Sequence, residues 1–251
     1  MRRLNVFAGV LLTAHIATAP ATTLVGIWTK KKITVAADSR QMVSDRNGVP
    51  VGSQNACKIY QNGELIFAFA GLAKAEQVDV ARSIKNAYPL IVQGDSKKPT
   101  LDSALVAAQE ALGRVIKARG KSSDSNVYAG MIIAGRVNGK LQMIREEIRG
   151  VRLEGGVSVA QKSQRIAYPE ARGHNGTDPN RAIEVVGAKN AIERSSRRSV
   201  DWAKGEDAKV ARRLIELETE DPEDSSSVGP PISEVQVTER GIKWISKGEC
   251  Q

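Results

Sequence analysis

The sequence predicts an α+β fold in which two antiparallel sheets pack face to face with helices outside them. Three observations predict it. Strand-forming runs come in pairs separated by short turns, and stretches with apolar residues at helical spacing fall between those pairs. The resulting order, ββ, helices, ββ, helix, ββ, gives each sheet one face for its partner sheet and one for helix. The 251 residues, 41% hydrophobic and 26% charged, suit one globular domain or at most two.

Residues Met1 to Ala21 form a removable segment, with Arg2 and Arg3 as a basic start and Val6 to Ala17 as a mostly apolar stretch. The chain therefore divides into a signal peptide, 1–21, and a domain, 22–251, and the protein is expected to be exported. The alternative is a cytoplasmic protein with an autolytic propeptide. Two small-x-small sites are present, ending at Ala19 and Ala21. Cleavage after Ala19 would put Pro20 at the new terminus, where its ring obstructs the peptidase. Cleavage after Ala21 frees Thr22, whose hydroxyl and α-amine are then a nucleophile and a base on one residue. The amine's ordinary pKa of about 7.7–8.0 suits it to accept a proton near neutrality. Set against this, Thr followed by Thr, Leu and Val is also ordinary strand composition.

Thr22 to Trp28 and Ile33 to Ala37 make a first hairpin across the basic turn Thr29 to Lys32, and Asp38-Ser39-Arg40 ends its second strand. Gln41 to Asn55 is polar and reads as a long loop. After the short strand at Cys57 to Tyr60 and the apolar run Leu65 to Ala73, two helices are expected, at Ala73 to Ala87 and Leu101 to Ala118. In the second, Leu101, Leu105, Ala108, Leu112, Val115 and Ile116 share a face. Tyr128 to Val137 and Lys140 to Ile148 form a hairpin around Asn138-Gly139. Gly150 to Asn180, which includes His174, reads as an irregular insertion. A strand at Glu184 to Gly187, a helix at Ser199 to Thr219, a loop at Asp221 to Pro231 and a closing hairpin at Ser233 to Arg240 and Ile242 to Ile245 complete the chain.

The formal charge of +9 becomes +7 once Arg2 and Arg3 are removed, since no acidic residue lies in 1–21. With 4% aromatic residues and no helix-turn-helix, zinc-finger or RNP signature, nucleic acid is not an expected partner. The mature chain has no apolar run of about 18 residues, so no membrane span is expected. There is no CxxC or HExxH, and of the two histidines His15 leaves with the signal segment, so neither a metal nor a cofactor is implied. The two cysteines leave two readings open: a Cys57–Cys250 disulfide in an oxidising compartment, or a buried thiol beside Lys58 and a free tail thiol.

TTLVG at Thr22, AADSR ending at Arg40, CKIY at Cys57 and LIFAFAGLA at Leu65 together resemble the β-subunits of the proteasome and the bacterial HslV protease, which are N-terminal nucleophile hydrolases. The resemblance implies a four-layer αββα sandwich, a homo-oligomeric ring and a peptide or amide substrate. It implies Thr22 as nucleophile and base, Lys58 beside its hydroxyl, Asp38 paired with Lys58, and the Gly71 N–H as oxyanion donor. Phe69, two residues before Gly71, falls where the family lines its S1 pocket; the alternative is a core residue of the strand Leu65 to Ala70, and alternation alone does not decide between the two. The chain departs from the family pattern where residues orient the terminal amine: Ala188 replaces a Ser, and Asp224 to Pro230 replaces an Asp- and Ser-bearing motif. Three functions follow: a threonine-type peptidase or amidase, a non-peptidase amidohydrolase on a small amide, or a non-catalytic exported ring or binding protein.

Overall fold

The computed structural model describes residues 22–44, 50–71, 74–75, 78–79, 101–118, 123–154, 157–171, 180–198, 200–222 and 225–250. The β-branched opening forms β1 (Thr23–Thr29), which turns back into β2 (Lys32–Ala37). The polar stretch expected as a loop is instead a ribbon, β3 (Arg40–Ser44) against β4 (Pro50–Asn55). Residues 51–55 are exposed, so no apolar alternation marks them as strand. Next come β5 (Ile59–Asn62) and β6 (Leu65–Gly71), then a short ribbon of β7 (Lys74–Ala75) and β8 (Val78–Asp79). That ribbon corrects the helix expected over Ala73 to Ala87, the rest of which lies outside the described residues.

Helix α1 (Leu101–Ala118) has the expected bounds, with Asp102 in its first turn and Lys117 in its last, the signs that complement the helix dipole. Strands β9 (Ser123–Val137) and β10 (Lys140–Glu154) meet at Asn138 and Gly139, both at positive φ, as a tight two-residue hairpin turn requires. The irregular insertion expected from Gly150 is corrected here. Strand β10 passes Gly150 (φ 68), where its register against β9 shifts, runs on to Glu154 and returns as β11 (Val157–Tyr168). A single glycine thus marks a bulge rather than a strand end. His174 lies outside the described residues.

Strand β12 (Arg181–Gly187) leads into α2 (Asn190–Arg198), a 3-10 turn at Val200–Ala203, and α3 (Asp207–Glu220). The one helix expected over Ser199 to Thr219 is thereby corrected: Gly205, at φ 117, breaks the chain before Asp207. The closing hairpin is β13 (Ser233–Thr238) and β14 (Gly241–Ser246).

One five-stranded sheet has the order β12-β1-β2-β13-β14 and the other β11-β10-β9-β6-β5. Leu24, Trp28, Ile33 and Val35 of the first share a core with Ile66, Ala68, Ile132 and Met143 of the second. Each of the Leu, Ile, Val and Met side chains among them contributes about 1.5–3 kcal/mol on burial. Trp28 is fixed across this gap by an Nε1–H donated to the Leu141 carbonyl at 3.0 Å and by stacking on Tyr168. The outer face of the second sheet packs on α1 through Phe67, Phe69, Leu105, Leu112 and Met131. Val25, Ile27 and Ala36 of the first sheet pack on α2 and α3 through Ile192, Val210, Leu214 and Ile215.

The four-layer αββα expectation is corrected. The described chain is mainly antiparallel strand divided among four sheets, two of them two-stranded ribbons. Segments assigned to helix or loop on composition are strands, so the outside is not a clear pair of helical layers. Among the described residues no helix is long and apolar enough to cross a membrane.

Candidate active site

Of the five residues expected at a site, Asp38 and Lys58 form a buried ion pair, Asp38 accepts the N–H of Thr23 next to Thr22, and Gly71 follows Ala70, which lies near Gly187 and the Thr22 carbonyl. Thr22 immediately precedes β1 and is 4% exposed. It continues the alternation that places Leu24, Gly26 and Trp28 in the gap. Its carbonyl accepts the Ala188 N–H at 2.8 Å, and Thr23 Oγ1 donates to the Ala188 carbonyl at 3.0 Å. The loop after β12 therefore grips the first two described residues.

Asp38 follows β2 and is 1% exposed. Its Oδ1 accepts the Thr23 N–H at 2.9 Å, and its Oδ2 accepts the Arg40 N–H at 3.0 Å and the Gly229 N–H at 3.2 Å. Both oxygens also accept from Lys58 Nζ at 3.0 Å. Lys58, 6% exposed and just ahead of β5, donates in addition to the Arg40 carbonyl. Burial pushes the Asp38 carboxyl up, and the Lys58 cation together with the Thr23 and Gly229 N–H groups pulls it back. Burial pushes the Lys58 ammonium down; the Asp38 carboxylate holds it up, and the Arg40 cation adds to the lowering. Burial is the larger influence on both, so the net direction is up for Asp38 and down for Lys58, each opposed chiefly by the charge of the other.

Gly71 ends β6 at φ 85. A Cβ there would meet the Tyr128 carbonyl oxygen and lie 2.8 Å from Tyr128 Cδ1. Its neighbour Ala70 lies beside Gly187, whose own missing Cβ makes room for the Thr22 carbonyl and would lie 3.4 Å from the Ala70 Cβ. Phe69 is not part of this group. It is 8% exposed and belongs to the core against α1.

The structure also shows what the sequence left open. Cys57 and Cys250 are a disulfide, with Cα atoms 4.7 Å apart, and it joins the chain's end to the residue before Lys58. Ala188 and Val228, at the positions where Ser was expected, are 3% and 0% exposed and pack with α2 and α3. Sequence reading missed Gly229. Besides donating to Asp38, it accepts the Ser39 N–H at 3.0 Å. A Cβ on it would lie 2.6 Å from the Arg40 guanidinium carbon, and Arg40 in turn donates to the Ser225 carbonyl. The altered 225–229 segment thus closes over Asp38 by its backbone. Only the glycine at 229 could have signalled this. Among the described residues there is no group of three or more His, Cys, Asp or Glu placed to hold a metal.

No family model matches the chain, and no curated protein does. Among solved structures it is similar to Anbu (ancestral beta-subunit) from Yersinia bercovieri, with a TM-score of 0.53 and 13% identity over 90% of this chain and 88% of that one. A likeness at this identity shows the fold alone, that of a proteasome-like subunit. The identification with proteasome β-subunits and HslV as threonine hydrolases is accordingly corrected. No family match supports it, and the structural neighbour does not carry a threonine nucleophile over to this chain.

Proposed function

We propose that the protein is a hydrolase that cleaves amide bonds, with Thr22 as the N-terminal residue and nucleophile of an exported mature chain. The observation that carries this reading is the buried Asp38–Lys58 pair, tied through the Thr23 N–H to the residue that follows Thr22. A buried ion pair is costly to form and is weak support for stability alone. Next to a hydroxyl, a held cation favours the alkoxide.

In the proposed reaction the Thr22 amine takes the hydroxyl proton as Oγ1 attacks the substrate carbonyl, and Lys58 stabilises the developing negative charge. The Gly71 N–H receives the oxyanion, a contribution of about 3–4 kcal/mol for one aimed donor. The amine proton passes to the leaving nitrogen as the C–N bond breaks, leaving an ester on Thr22. Water, deprotonated by the same amine, then hydrolyses the ester and restores the hydroxyl. The substrate class is a peptide or a smaller amide. The disulfide supports the exported location, because such bonds persist in oxidising compartments.

The test is mass spectrometry of the mature N-terminus followed by treatment with a β-lactone and peptide mapping. A chain starting at Thr22, with an acyl adduct on Thr22 that is absent in a folded Lys58→Ala variant, is the expected result. A different mature terminus, or a mature Thr22 that resists acylation in a protein inactive on broad peptide and amide libraries, would overturn the reading.

A further inference from the structure

Tyr128 of β9 touches both sides of the site. Its carbonyl oxygen and ring edge occupy the space that the Gly71 side chain would need, so the close approach that sets the end of β6 is made against Tyr128. Its hydroxyl accepts the Gly187 N–H at 2.9 Å. Gly187 packs on the Thr22 carbonyl, and the next residue, Ala188, holds that same carbonyl by its N–H. One side chain thus spans the two segments that must keep a fixed separation if Oγ1 of Thr22 and the Gly71 N–H are to act on one carbonyl.

The phenol is itself held. Its O–H lies 3.4 Å from Glu147 Oε1 as donor, and Glu147 is 5% exposed and paired with Arg145 at 2.9 Å and Lys189 at 3.9 Å. The Arg149 guanidinium carbon stands 5.9 Å from the ring centroid. Gly130 leaves the room that the phenol occupies, since a Cβ there would be 2.8 Å from the hydroxyl oxygen. Burial and the Glu147 charge keep the phenol protonated, hence a donor to Glu147, through the range in which the Thr22 amine titrates.

We infer that Tyr128 is a positioning residue that sets Thr22 against the Gly71 N–H, with the Glu147, Arg145 and Lys189 cluster as its anchor. The assignment rests on the Thr22 reading. A misplacement of about 1 Å at a reacting centre costs about 10²-fold in rate, whereas binding of a probe elsewhere in the cleft is little affected.

A fluorescent β-lactone tests it on the mature, oxidised protein, with kinact and KI measured separately for wild type, Tyr128→Phe and Tyr168→Phe. Tyr168 is the control because its hydroxyl also bonds a carboxylate, Glu184, and it belongs to neither gripping segment; Glu184 in turn meets Arg145 at 3.8 Å, so the control shares the anchor's charges but not the grip. The expected result is a fall of about tenfold or more in kinact for Tyr128→Phe, with KI within about twofold and Tyr168→Phe like wild type. Where Tyr128→Phe does not fold, 3-fluorotyrosine at 128, which keeps the ring and weakens the oxygen as acceptor, is expected to lower kinact in the same direction. An unchanged kinact in the folded Tyr128 variant, or an equal fall in Tyr168→Phe, overturns the assignment and leaves the Thr22 reading standing. Wild type that takes no label overturns both.

Discussion

Asp38 collects five hydrogen bonds, from three backbone N–H groups and, twice, from one ammonium, which oppose the upward push of burial on its carboxyl. Three of those donors belong to segments that converge on Thr22 and on the loop at Gly229, so Asp38 fixes geometry as well as charge. In Asp38→Asn the strongest influence raising the Lys58 pKa is gone while its burial remains. In the proposed reaction Lys58 acts as a cation, so activity would be lost as pH rises through its pKa; lowering that pKa moves the alkaline limb of the rate profile toward neutrality. Activity at pH 8 is expected to fall about 10²-fold, the scale of one lost electrostatic partner at an oxyanion, with KM changed less than kcat. A variant profile that keeps the wild-type alkaline limb would contradict this. Gly71 makes a separate prediction, independent of catalysis. At φ 85 and packed on the Tyr128 carbonyl, an alanine adds backbone strain of about 1–3 kcal/mol and a direct clash, so Gly71→Ala should show a clearly lowered urea midpoint. A midpoint equal to wild type would mean that the strand end moves freely.

At the level of elements, strand β6 carries two kinds of residue on its two faces. Leu65, Phe67 and Phe69 meet α1, and Ile66, Ala68 and Ala70 meet the opposite sheet. This alternation decides the role of Phe69. Phe69→Ala should cost about 3–5 kcal/mol as a core deletion and leave the preference among apolar and polar amide substrates unchanged. A changed preference with little loss of stability would return it to the substrate pocket. In sequence, β1, β2 and β6 were legible as short, nearly continuous apolar runs because both faces of each are buried, and the β9–β10 hairpin because Asn138-Gly139 admits little but a tight turn. Where both faces are polar, as in β3 and β4, or where a strand continues through Gly150, that pattern is absent or interrupted, and the sequence read as loop. The Asp38–Lys58 contact was expected from the motifs that carry the resemblance, and the two side chains do meet. The contacts of Gly229 and Tyr128 were not legible, because they are a backbone N–H and a phenol brought in from residues far along the chain, which only the assembled sheets place.

For the molecule as a whole, the segments at Thr22 and at Cys250 are held close to the same pair of charges: Thr22 through Thr23 and Asp38, and Cys250 through its bond to Cys57, which precedes Lys58. The bond closes a sequence separation of 193 residues, and a loop that long should stabilise the fold by about 2–5 kcal/mol, since the closure term grows only logarithmically. The tail does not depend on the bond alone. The Lys247 carbonyl accepts from Ser233 Oγ at 2.8 Å, and Cys250 is 4% exposed in the core of the gap. The Cys57→Ser, Cys250→Ser protein is therefore expected to fold, with its unfolding free energy lower by that amount, and wild type in dithiothreitol should match it. Lys58 stays on its three acceptors, Asp38 Oδ1, Asp38 Oδ2 and the Arg40 carbonyl, none of which belongs to the tail. The rate of β-lactone labelling below the unfolding transition should then remain within about twofold of wild type, because the groups that position the ammonium are intact. A tenfold loss of labelling in a reduced but fully folded protein would mean instead that the tether sets the position of Lys58, and that the compartment's redox state governs the site directly.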